Sequence, residues 1–246
     1  MKTESRQLRL SLVSSHYNLH DQERMSRAKN YFAWQARMAR RELGPRVLEV
    51  GCGIGNFTAA ILDREAVMAT DIDPSCIARL RFRLGKLTNL EARVCDVASE
   101  EFLALKQFRA DSCIALNVLE HIQDDRAVLA RMAAVLEPGG KIVLLVPAFP
   151  SLYGPIDRNL GHFRRYTAGS LRQLAESIGL KVSKLHFVNS VGFFGWWWNA
   201  RIGKIEAQSE RQIGIFDRSI VPFLSRAEEL LSPPFGQSIL VVLRVS

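Results

Sequence analysis

The sequence predicts an α/β fold in which a mostly parallel sheet carries helices on both faces. From Arg46 onward, short apolar runs alternate with longer amphipathic segments, and this succession is typical of parallel strands joined by helical crossovers. The 246 residues, of which 48% are hydrophobic, can bury a full core. We therefore expect one α/β domain with appendages.

The elements can be assigned in order along the chain. Asp21 is a candidate helix N-cap and Gly44-Pro45 a stop signal, so residues 21–43 are predicted to form a helix. Strands are then predicted over 46–50, 67–71, 90–95, 112–116 and 141–146, with helices over 55–65, 74–86, 98–107 and 124–136. After a long polar and aromatic segment, 147–166, we predict a helix over 167–177, a strand over 181–189 and a last buried strand over 238–245.

Charge and cysteine content narrow the class of protein. The net charge is +8, and residues 1–46 hold ten basic and four acidic residues. Such an arm can bind nucleic acid, an anionic membrane or an acidic substrate, although a solvated helix face is the commoner explanation.

The four cysteines are widely spaced along the chain, at Cys52, Cys76, Cys95 and Cys113. Neither a disulfide framework nor a zinc site is therefore predicted, and we expect them to be small core residues.

Targeting signals are not evident in the sequence. No apolar run reaches the roughly 18 to 20 residues that a membrane span needs, and the first residues lack the apolar core of a signal peptide. We therefore expect a cytoplasmic protein.

A glycine-rich turn follows the first strand, in the run from Val47 to Thr58. A strand that ends in such a turn presents backbone N–H groups at the carboxyl edge of the sheet, where α/β folds bind nucleotides. The dinucleotide fingerprint needs glycines at positions one, three and six, but Gly51 and Gly53 are followed by Asn56. Glu49, just before the turn, suits a cationic ligand better than a pyrophosphate. Binding of NAD is therefore disfavoured.

Acidic residues also follow the next two strands. Asp71 lies 20 residues after Gly51, a spacing at which a carboxylate can accept hydrogen bonds from ribose hydroxyls, and Asp96 closes the third strand. Five motifs follow one another along the chain: Glu49-x-Gly51-x-Gly53-x-Gly55, Thr70-Asp-Ile-Asp-Pro74, Cys95-Asp-Val97, Asn117-Val-Leu-Glu-His-Ile122 and Leu136-Glu-Pro-Gly-Gly140. Over residues 45–147 the chain resembles the class I S-adenosylmethionine-dependent methyltransferases.

The resemblance implies a Rossmann-like three-layer αβα fold. Its sheet would have seven mostly parallel strands, with the last strand antiparallel between the fifth and sixth. Residues 1–44 would then form an N-terminal helical arm and 45–246 the methyltransferase domain. Within that domain, 147–231 would carry an acceptor-site loop and cap insertions.

The resemblance also assigns cofactor-binding residues, and it implies S-adenosylmethionine with no metal. The methionine part would lie against Glu49 and the backbone of Gly51, Cys52 and Gly53, with Asn117 beneath it. Asp71 would bind the ribose, Ile72 would pack on adenine, Asp96 would accept from the adenine amino group and the Val97 N–H would face a ring nitrogen. Asp73 and Glu120 have weaker claims, since a solvated acid explains them equally well. Arg37 could reach the cofactor carboxylate, but an exposed arginine is the better interpretation.

The methyl acceptor is less well defined by the sequence. Transfer from a sulfonium is an in-line displacement, so a base is needed only if the acceptor must lose a proton. The loop from Tyr153 to Tyr166 follows the fifth strand and should overhang the cofactor. Its candidates for acceptor binding are Tyr153, Asp157, Arg158, Arg164, Arg165 and Tyr166, and the catalytic candidates are His162 and His121. A purely structural loop is equally consistent with these residues.

The motif after the fourth strand bears on the acceptor class. Asn117-Val-Leu-Glu120 lacks the two prolines and aromatic residue of nucleic-acid amino-methylating enzymes, so no specific nucleic-acid partner is expected. The runs Gly161–Thr167 and Gly195–Arg201 resemble bacterial methyltransferases of unassigned substrate that accompany glycosyltransferases. This implies a small-molecule, sugar or lipid-linked acceptor, with transfer to oxygen favoured. An N-methyltransferase and a non-catalytic S-adenosylmethionine-binding module remain as alternatives.

Three consecutive tryptophans, Trp196 to Trp198, stand out in the second half of the chain. Three successive helical residues span roughly 200° of arc, so the rings cannot easily share one core, although a plain core role is available. We hypothesise that 193–231 forms a mobile aromatic cap over the acceptor site, with a kink at Pro222. With Arg201 and Lys204 nearby, the cap could make peripheral membrane contact or a homodimer contact.

Overall fold

The computed structural model describes residues 28–203 and 209–245, and these contain a seven-stranded sheet. The strands are β1 (Arg46–Val50), β2 (Ala66–Asp71), β3 (Leu90–Val94), β4 (Ala110–Leu116), β5 (Leu136–Pro147), β6 (Lys181–Val188) and β7 (Ser238–Arg244). Their order in the sheet is β3-β2-β1-β4-β5-β7-β6. Strand β7 pairs antiparallel with β5 and β6, whereas the pairs among β1 to β5 are parallel. The predicted Rossmann-like topology, with its last strand antiparallel between the fifth and sixth, is confirmed.

Helices cover the sheet on both faces. They are α1 (Lys29–Arg40), α2 (Pro74–Leu84), α3 (Asp125–Ala134), α4 (Pro155–Asn159), α5 (Ala168–Glu176), α6 (Ser190–Trp198), α7 (Glu210–Ile215) and α8 (Val221–Leu230). Shorter 3₁₀ segments occur at Thr58–Ala60, Glu100–Phe108, Leu119–His121 and Pro150–Leu152, and π-helical turns at Asn199–Gly203 and Phe216–Ile220. Within the described ranges, none of these helices has the length and apolarity needed to cross a membrane.

The hydrophobic core consists of two layers, one on each face of the sheet. Alternate residues of one strand enter different layers: Leu144 packs with Leu48 and Met68 on one face, while Val143 packs with Val47 on the other. Successive side chains of a strand point to opposite faces, and a parallel sheet is buried on both. The central strands therefore read as nearly continuous apolar runs, whereas the edge strands β3 and β6 carry exposed polar residues along their length.

The helix predicted over 55–65 is wrong apart from a short 3₁₀ turn, Thr58–Ala60. Gly55 has a φ of +82°, which is incompatible with a right-handed helix. Farther on, the carbonyls of Leu62 and Arg64 accept from the Asn89 side-chain amide at 2.8 and 2.9 Å. These carbonyls are satisfied by another part of the chain, so the segment has no need of helical hydrogen bonds.

Two other predicted helices also differ from the structure. Residues 98–107 were expected to be α-helical, but Glu100–Phe108 is a 3₁₀ helix in which Phe102 and Leu105 are buried; side chains three apart eclipse in that geometry. The helix predicted over 21–43 ends at Arg40. There the chain turns into β1, and the Gly44 N–H donates to Ser112 Oγ at 2.7 Å. Residues 21–27 lie outside the described part.

Helices α6, α7 and α8 form a cap that is held in place by two acids, of which Asp217 is buried and Glu228 partly buried. Asp217, 4% exposed, accepts from the backbone N–H groups of Asn30 and Tyr31 at 3.3 and 2.8 Å. Glu228 of α8 accepts from the N–H groups of Asn189 and Ser190, both at 2.8 Å. These bonds satisfy free amides at the starts of α1 and α6. A π-helical turn, Phe216–Ile220, precedes α8, and Pro222 lies in the first turn of α8; the kink at Pro222 stays a prediction.

Candidate active site

A cavity of about 750 Å³ opens at the carboxyl ends of β1, β4 and β5. Its floor is the turn after β1 together with the residues after β4, and its walls are α1 and the loop after β5. Residues of α6, of α7 and of the π-helical turn before α8 complete the lining. Segments that are distant in sequence thus enclose one space at the edge of the sheet where α/β folds bind ligands.

The glycine-rich turn forms the floor beside β1. Gly51 has a φ of +71° and Gly53 a φ of +51°, conformations that glycine adopts without strain. A Cβ atom on Gly51 would collide with Cγ2 of Val118. The Gly53 N–H donates to Oδ2 of Asp71 at 2.8 Å. The turn is therefore packed tightly against the ends of β2 and β4, with its backbone facing the cavity.

Glu49 is the charged group at the base of this floor. It is 4% exposed, and its Oε2 accepts from Oγ1 of Thr58 at 2.6 Å. Burial raises the pKa of Glu49 to about 8; the nearby charge of Asp71 adds to this and the Thr58 hydrogen bond opposes it. A buried carboxyl in this state gains a favourable partner from a cation, so this end of the cavity fits the ammonium and sulfonium groups of S-adenosylmethionine.

The residues predicted to bind the nucleoside part lie on the same edge but outside the cavity. Both oxygens of Asp71 accept backbone N–H groups, from Gly53 and at 2.9 Å from Asp73, and burial raises its pKa. Ile72 is 65% exposed, which leaves an apolar surface next to that carboxylate. Asp96 accepts from the Ala98 N–H at 2.8 Å. The arrangement fits an enclosed methionine part and a nucleoside on the open edge.

Asn117 follows β4 and lines the cavity. Its φ is +54°, and its N–H donates to the Leu145 carbonyl at 2.8 Å. Asparagine tolerates this left-handed conformation better than most residues. The local turn holds Asn117 at the floor of the cavity, and its place beneath the methionine chain stays a prediction.

A polar cluster of Glu120, His121 and His162 faces the cavity beyond Asn117. The two imidazole rings meet edge to face, with centroids 4.7 Å apart. Glu120 is fully buried, and burial raises its pKa to about 8. The side chain of His121 is exposed toward the cavity; desolvation by the surrounding groups and the neighbouring His162 lower its pKa to about 4. The sequence indicated each residue separately, but the 40 positions between His121 and His162 carried no signal that they form a group.

Asp157 organises the loop that supplies His162. It is fully buried and accepts at Oδ1 from His162 Nδ1 at 2.9 Å and from Arg165 Nε at 2.8 Å. Its Oδ2 accepts from the Gly154 N–H at 2.9 Å and from the Trp196 indole at 3.3 Å. Burial alone would raise the pKa of Asp157, but the His162 hydrogen bond and the Arg165 charge hold it below its ordinary value. The carboxylate therefore joins the loop to the cap.

The other residues predicted to bind the acceptor fall into two groups, those that line the cavity and those that do not. Arg165 lines the cavity with His162, whereas Tyr153, Arg158, Arg164 and Tyr166 do not. The Tyr153 hydroxyl donates to the His162 carbonyl at 2.7 Å. Arg164 and Tyr166 both contact Asp125, at 2.7 and 3.0 Å, and Arg158 is exposed. For Tyr153, Arg164 and Tyr166 these contacts favour the structural interpretation of the loop.

Helix α1 contributes residues that the sequence did not single out. Tyr31, Phe32 and Gln35 line the cavity. Arg37 points elsewhere and pairs with Glu229 at 2.8 Å, in agreement with the exposed interpretation. The amphipathic character of α1 was the available signal, but its direction relative to the sheet depends on Asp217, which is 187 residues away from Asn30.

The three tryptophans diverge as their helical spacing predicted. Trp196 is 9% exposed, Trp197 44% and Trp198 55%. Trp196 and Trp198 line the cavity, and Trp197 does not. The Arg165 guanidinium lies over the Trp196 ring, 4.8 Å from its centroid. One ring therefore packs inside, one borders the cavity and one faces outward.

The chain is similar to known proteins in sequence and in fold. The family model described as a methyltransferase domain matches residues 17–185. A ubiquinone biosynthesis O-methyltransferase of Xanthomonas axonopodis is 35% identical over 106 residues, which are 41% of this chain and 42% of that protein. A protein of Mycolicibacterium smegmatis named as a probable S-adenosylmethionine-dependent methyltransferase is 28% identical over 149 residues, 59% of this chain and 56% of that one.

Among solved structures, a SAM-dependent methyltransferase from Archaeoglobus fulgidus superposes with a TM-score of 0.59 at 20% identity, over 88% of this chain and 94% of that chain. At this identity the likeness concerns the fold alone. The chain spans about half of the length of the curated relatives named above, 42% and 56%.

Proposed function

Because the chain belongs to the methyltransferase domain family and is an S-adenosylmethionine-dependent enzyme, we propose that it methylates an oxygen of a small acceptor with an apolar or lipid-linked part. One observation carries this proposal. The cavity runs without a break from the Glu49 end of the cofactor site, past the cluster of Glu120, His121 and His162, to the aromatic cap. A polar corner and an apolar chamber adjoin the position of the methyl donor.

The residues of the protein would align the methyl donor and the acceptor. S-adenosylmethionine, when bound, supplies a methyl group on a positively charged sulfur. Glu49 and the turn of Gly51 and Gly53 would hold the methionine part, and Asp71 the ribose. An in-line displacement then needs an acceptor oxygen held on the far side of the methyl carbon, in a space without competing water. The cap and α1 provide that enclosure.

The polar corner can take up the acceptor's proton. As the new oxygen–carbon bond forms, the carbon–sulfur bond breaks and the hydroxyl proton must leave. Asp157 accepts at His162 Nδ1, which directs the other ring nitrogen of His162 to be a proton acceptor. The pKa of His121 is lowered to about 4, so this ring is neutral near pH 7. Two imidazole rings thus adjoin the place where a hydroxyl would react.

The apolar chamber supports an acceptor with a hydrophobic part. Its lining includes Phe32, Ile156, Phe194, Trp198 and Phe216. Enclosing apolar surface against such side chains is worth roughly 25 cal/mol per Å². The name of the Xanthomonas relative specifies O-methyl transfer, which supports oxygen as the methylated atom.

Matched acceptors can test this proposal. The protein is incubated with S-adenosylmethionine labelled in its methyl group and with three compounds: catechol, a catechol with a long alkyl chain, and an alkylamine of the same chain. We expect label in the alkylated catechol in preference to the other two. Transfer to the amine alone, or equal transfer to catechol with and without the chain, would contradict the proposed acceptor. Mass spectrometry of the product locates the methyl group.

A further inference from the structure

The cluster of Glu120, His121 and His162 has the composition of a metal site, although the spacing of cysteines and histidines in the sequence predicted none. Each residue offers one ligand atom, and the three atoms lie within 4.8 Å of one another. Two come from the 3₁₀ turn after β4, and the third comes from the loop after β5. The cluster is thus made only by the folded chain.

Glu120 provides an independent indication that a ligand is missing from this cluster. Its side chain is fully buried, and neither carboxylate oxygen has a hydrogen-bond partner among the described residues. Burying an ionised carboxylate without a partner costs several kcal/mol. The nearby cation, Arg165, is already bound by Asp157 and by the Ala148 carbonyl at 3.1 Å. A cation in the cluster would supply the partner that Glu120 lacks.

The surroundings of His162 match those of a metal-binding imidazole. His162 Nδ1 is held by the buried Asp157 at 2.9 Å, which leaves Nε2 as the lone-pair nitrogen. A metal-binding histidine usually donates its other N–H to a carboxylate or a carbonyl in this way. The His121 ring contacts the His162 ring edge to face, with centroids 4.7 Å apart, and its ligand nitrogen lies within 4.8 Å of the other two ligand atoms.

From this geometry we infer that Glu120, His121 and His162 bind one divalent first-row transition metal ion at the polar corner of the cavity. Two imidazole nitrogens and a carboxylate oxygen suit such an ion better than magnesium or calcium, which prefer oxygen ligands. Ligand atoms about 2.1 Å from an ion lie at most about 4.2 Å apart, so loading draws the three side chains slightly together. Three protein ligands leave coordination positions open toward the cavity.

The open positions define what the ion would do. This part of the inference rests on the proposed function: the ion would bind the acceptor oxygen and lower the pKa of its hydroxyl. Coordination uses the lone pair of His162 Nε2, so in the loaded protein the ion, and not His162, makes the oxygen nucleophilic. The hydroxyl proton then leaves to solvent.

Cobalt(II) titration of the full chain tests the site without any measurement of methyl transfer. After treatment with a chelator, the protein is titrated with Co²⁺ and followed by visible ligand-field absorption. We expect one equivalent to bind, and Glu120→Gln and His162→Gln to weaken binding at least about tenfold. His186→Gln removes an exposed histidine and should leave the affinity unchanged. A variant with His16 and His20 both replaced by glutamine should also bind like the wild type, which excludes them as the source of the signal.

Two outcomes would overturn the inference: no saturable Co²⁺ binding by the wild type, or wild-type affinity in both cluster variants. Glu120→Gln removes a buried charge and keeps the side-chain shape, so it should fold. A second measurement needs only the wild type and this variant. Co²⁺ should raise the thermal midpoint of the wild type by mass action and leave that of Glu120→Gln unchanged. If Co²⁺ binds as expected but no alkylated catechol is methylated, the metal site stands and the proposed acceptor fails.

Discussion

Buried carboxylates in this molecule differ because of the groups that touch them. Glu49 and Glu120 have raised pKa values, about 8 in each case, because burial outweighs what few favourable contacts they make. Asp157 is equally buried but has a lowered pKa, because His162, Arg165 and the Gly154 N–H all contact it. Residue type and burial alone therefore do not set the charge; the donors and charges around each carboxylate also contribute. Asp71 accepts two backbone N–H groups and still has a raised pKa, because burial outweighs them. Glu49 and Glu120 are the acids with raised pKa values that line the cavity, where a cationic ligand has room.

Glu49 leads to a pH-dependent prediction. Its pKa of about 8 in the free protein means that it is largely protonated at neutral pH, and binding of a cation favours the ionised form. Affinity for S-adenosylmethionine should therefore rise with pH up to about 8 and then level off, with proton release at neutral pH. Calorimetry in two buffers of different ionisation enthalpy measures that proton. Glu49→Gln is the control, since it keeps only the titration of the ligand's own amino group, and equal proton release in both proteins would contradict the assignment.

Asp71 gives a second prediction at this scale. Asp71→Ala should weaken cofactor binding by about 1 to 3 kcal/mol, the range for hydrogen bonds to a charged acceptor. The structure adds a reason, because the same side chain holds the Gly53 N–H. Asp63, an exposed acid that pairs with Arg40, is the control, and Asp63→Ala should bind normally. Unchanged calorimetric affinity in Asp71→Ala would remove the ribose assignment.

Helix α1 and the cap are positioned by contacts between elements rather than by their own sequences. Asp217 lies in the π-helical turn before α8, yet it accepts the first free amides of α1. Glu228 does the same for the start of α6. The elements that enclose the cavity are thus linked to each other through helix ends, and loosening one link should open the enclosure.

Replacing Asp217 tests this link. Asp217→Ala should lower the free energy of unfolding by about 0.5 to 2 kcal/mol, the usual cost of losing a helix cap, and should also raise the KM for the acceptor. Asp124 caps α3 through the Ala127 N–H at 2.9 Å, and it is not among the residues that line the cavity. Asp124→Ala should therefore cost similar stability without a change in KM. Chemical denaturation and steady-state kinetics give the two readouts, and parallel KM changes in both variants would contradict the link.

Trp198 and Trp197 provide a matched pair of variants that test whether the cap lines the acceptor chamber. Trp198 lines the cavity and Trp197 does not, although both are about half exposed. Trp198→Ala should weaken binding of an alkylated acceptor by about 1 to 2 kcal/mol, roughly five- to thirtyfold, because it removes apolar surface from the chamber. Trp197→Ala should leave KM unchanged. The acceptor chamber is misplaced if Trp197→Ala has the larger effect on KM.

The molecule as a whole has apolar and basic groups on the outside of the cap. Trp197, Phe223, Leu230 and Leu231 are between 44% and 84% exposed. The cap also carries the arginines Arg201, Arg211, Arg218 and Arg226, all of them exposed. Tryptophan and leucine beside arginine are suited to the headgroup region of an anionic membrane. Peripheral membrane contact therefore stays a prediction for this surface.

Vesicle flotation measures that contact. At low salt we expect the protein to float with vesicles that contain anionic lipid and to bind less to neutral ones, since about 1 kcal/mol per basic residue comes from the anionic surface. Trp197→Ala should reduce flotation while its turnover on a water-dispersed acceptor stays normal, because Trp197 lies outside the cavity. A wild-type protein that stays wholly in the soluble fraction would exclude membrane contact by the cap.

The sequence by itself determined the sheet and the cofactor edge. Local signals were sufficient there: apolar runs mark strands that are buried on both faces, and Glu49, Gly51, Asp71 and Asn117 stand directly at strand ends. Parallel strands carry their carboxyl ends to one edge, so residues in such positions must come together once the fold is known. The prediction of a helix over 55–65 was wrong because a distant residue decides the structure there. The Asn89 side chain satisfies carbonyls of that segment but lies outside it.

Only the tertiary structure decided which polar groups meet above that edge. His162 joins Glu120 and His121 because Asp157 orients its ring, and Tyr31 and Phe32 face the cavity because Asp217 holds the start of α1. Tyr153, Arg164 and Tyr166 looked as suitable as His162 in sequence, but Tyr153 donates to the His162 carbonyl, and Arg164 and Tyr166 contact Asp125 of α3. A loop side chain can turn either inward or toward its neighbours, and the choice depends on partners far away in the chain, which local sequence patterns do not encode.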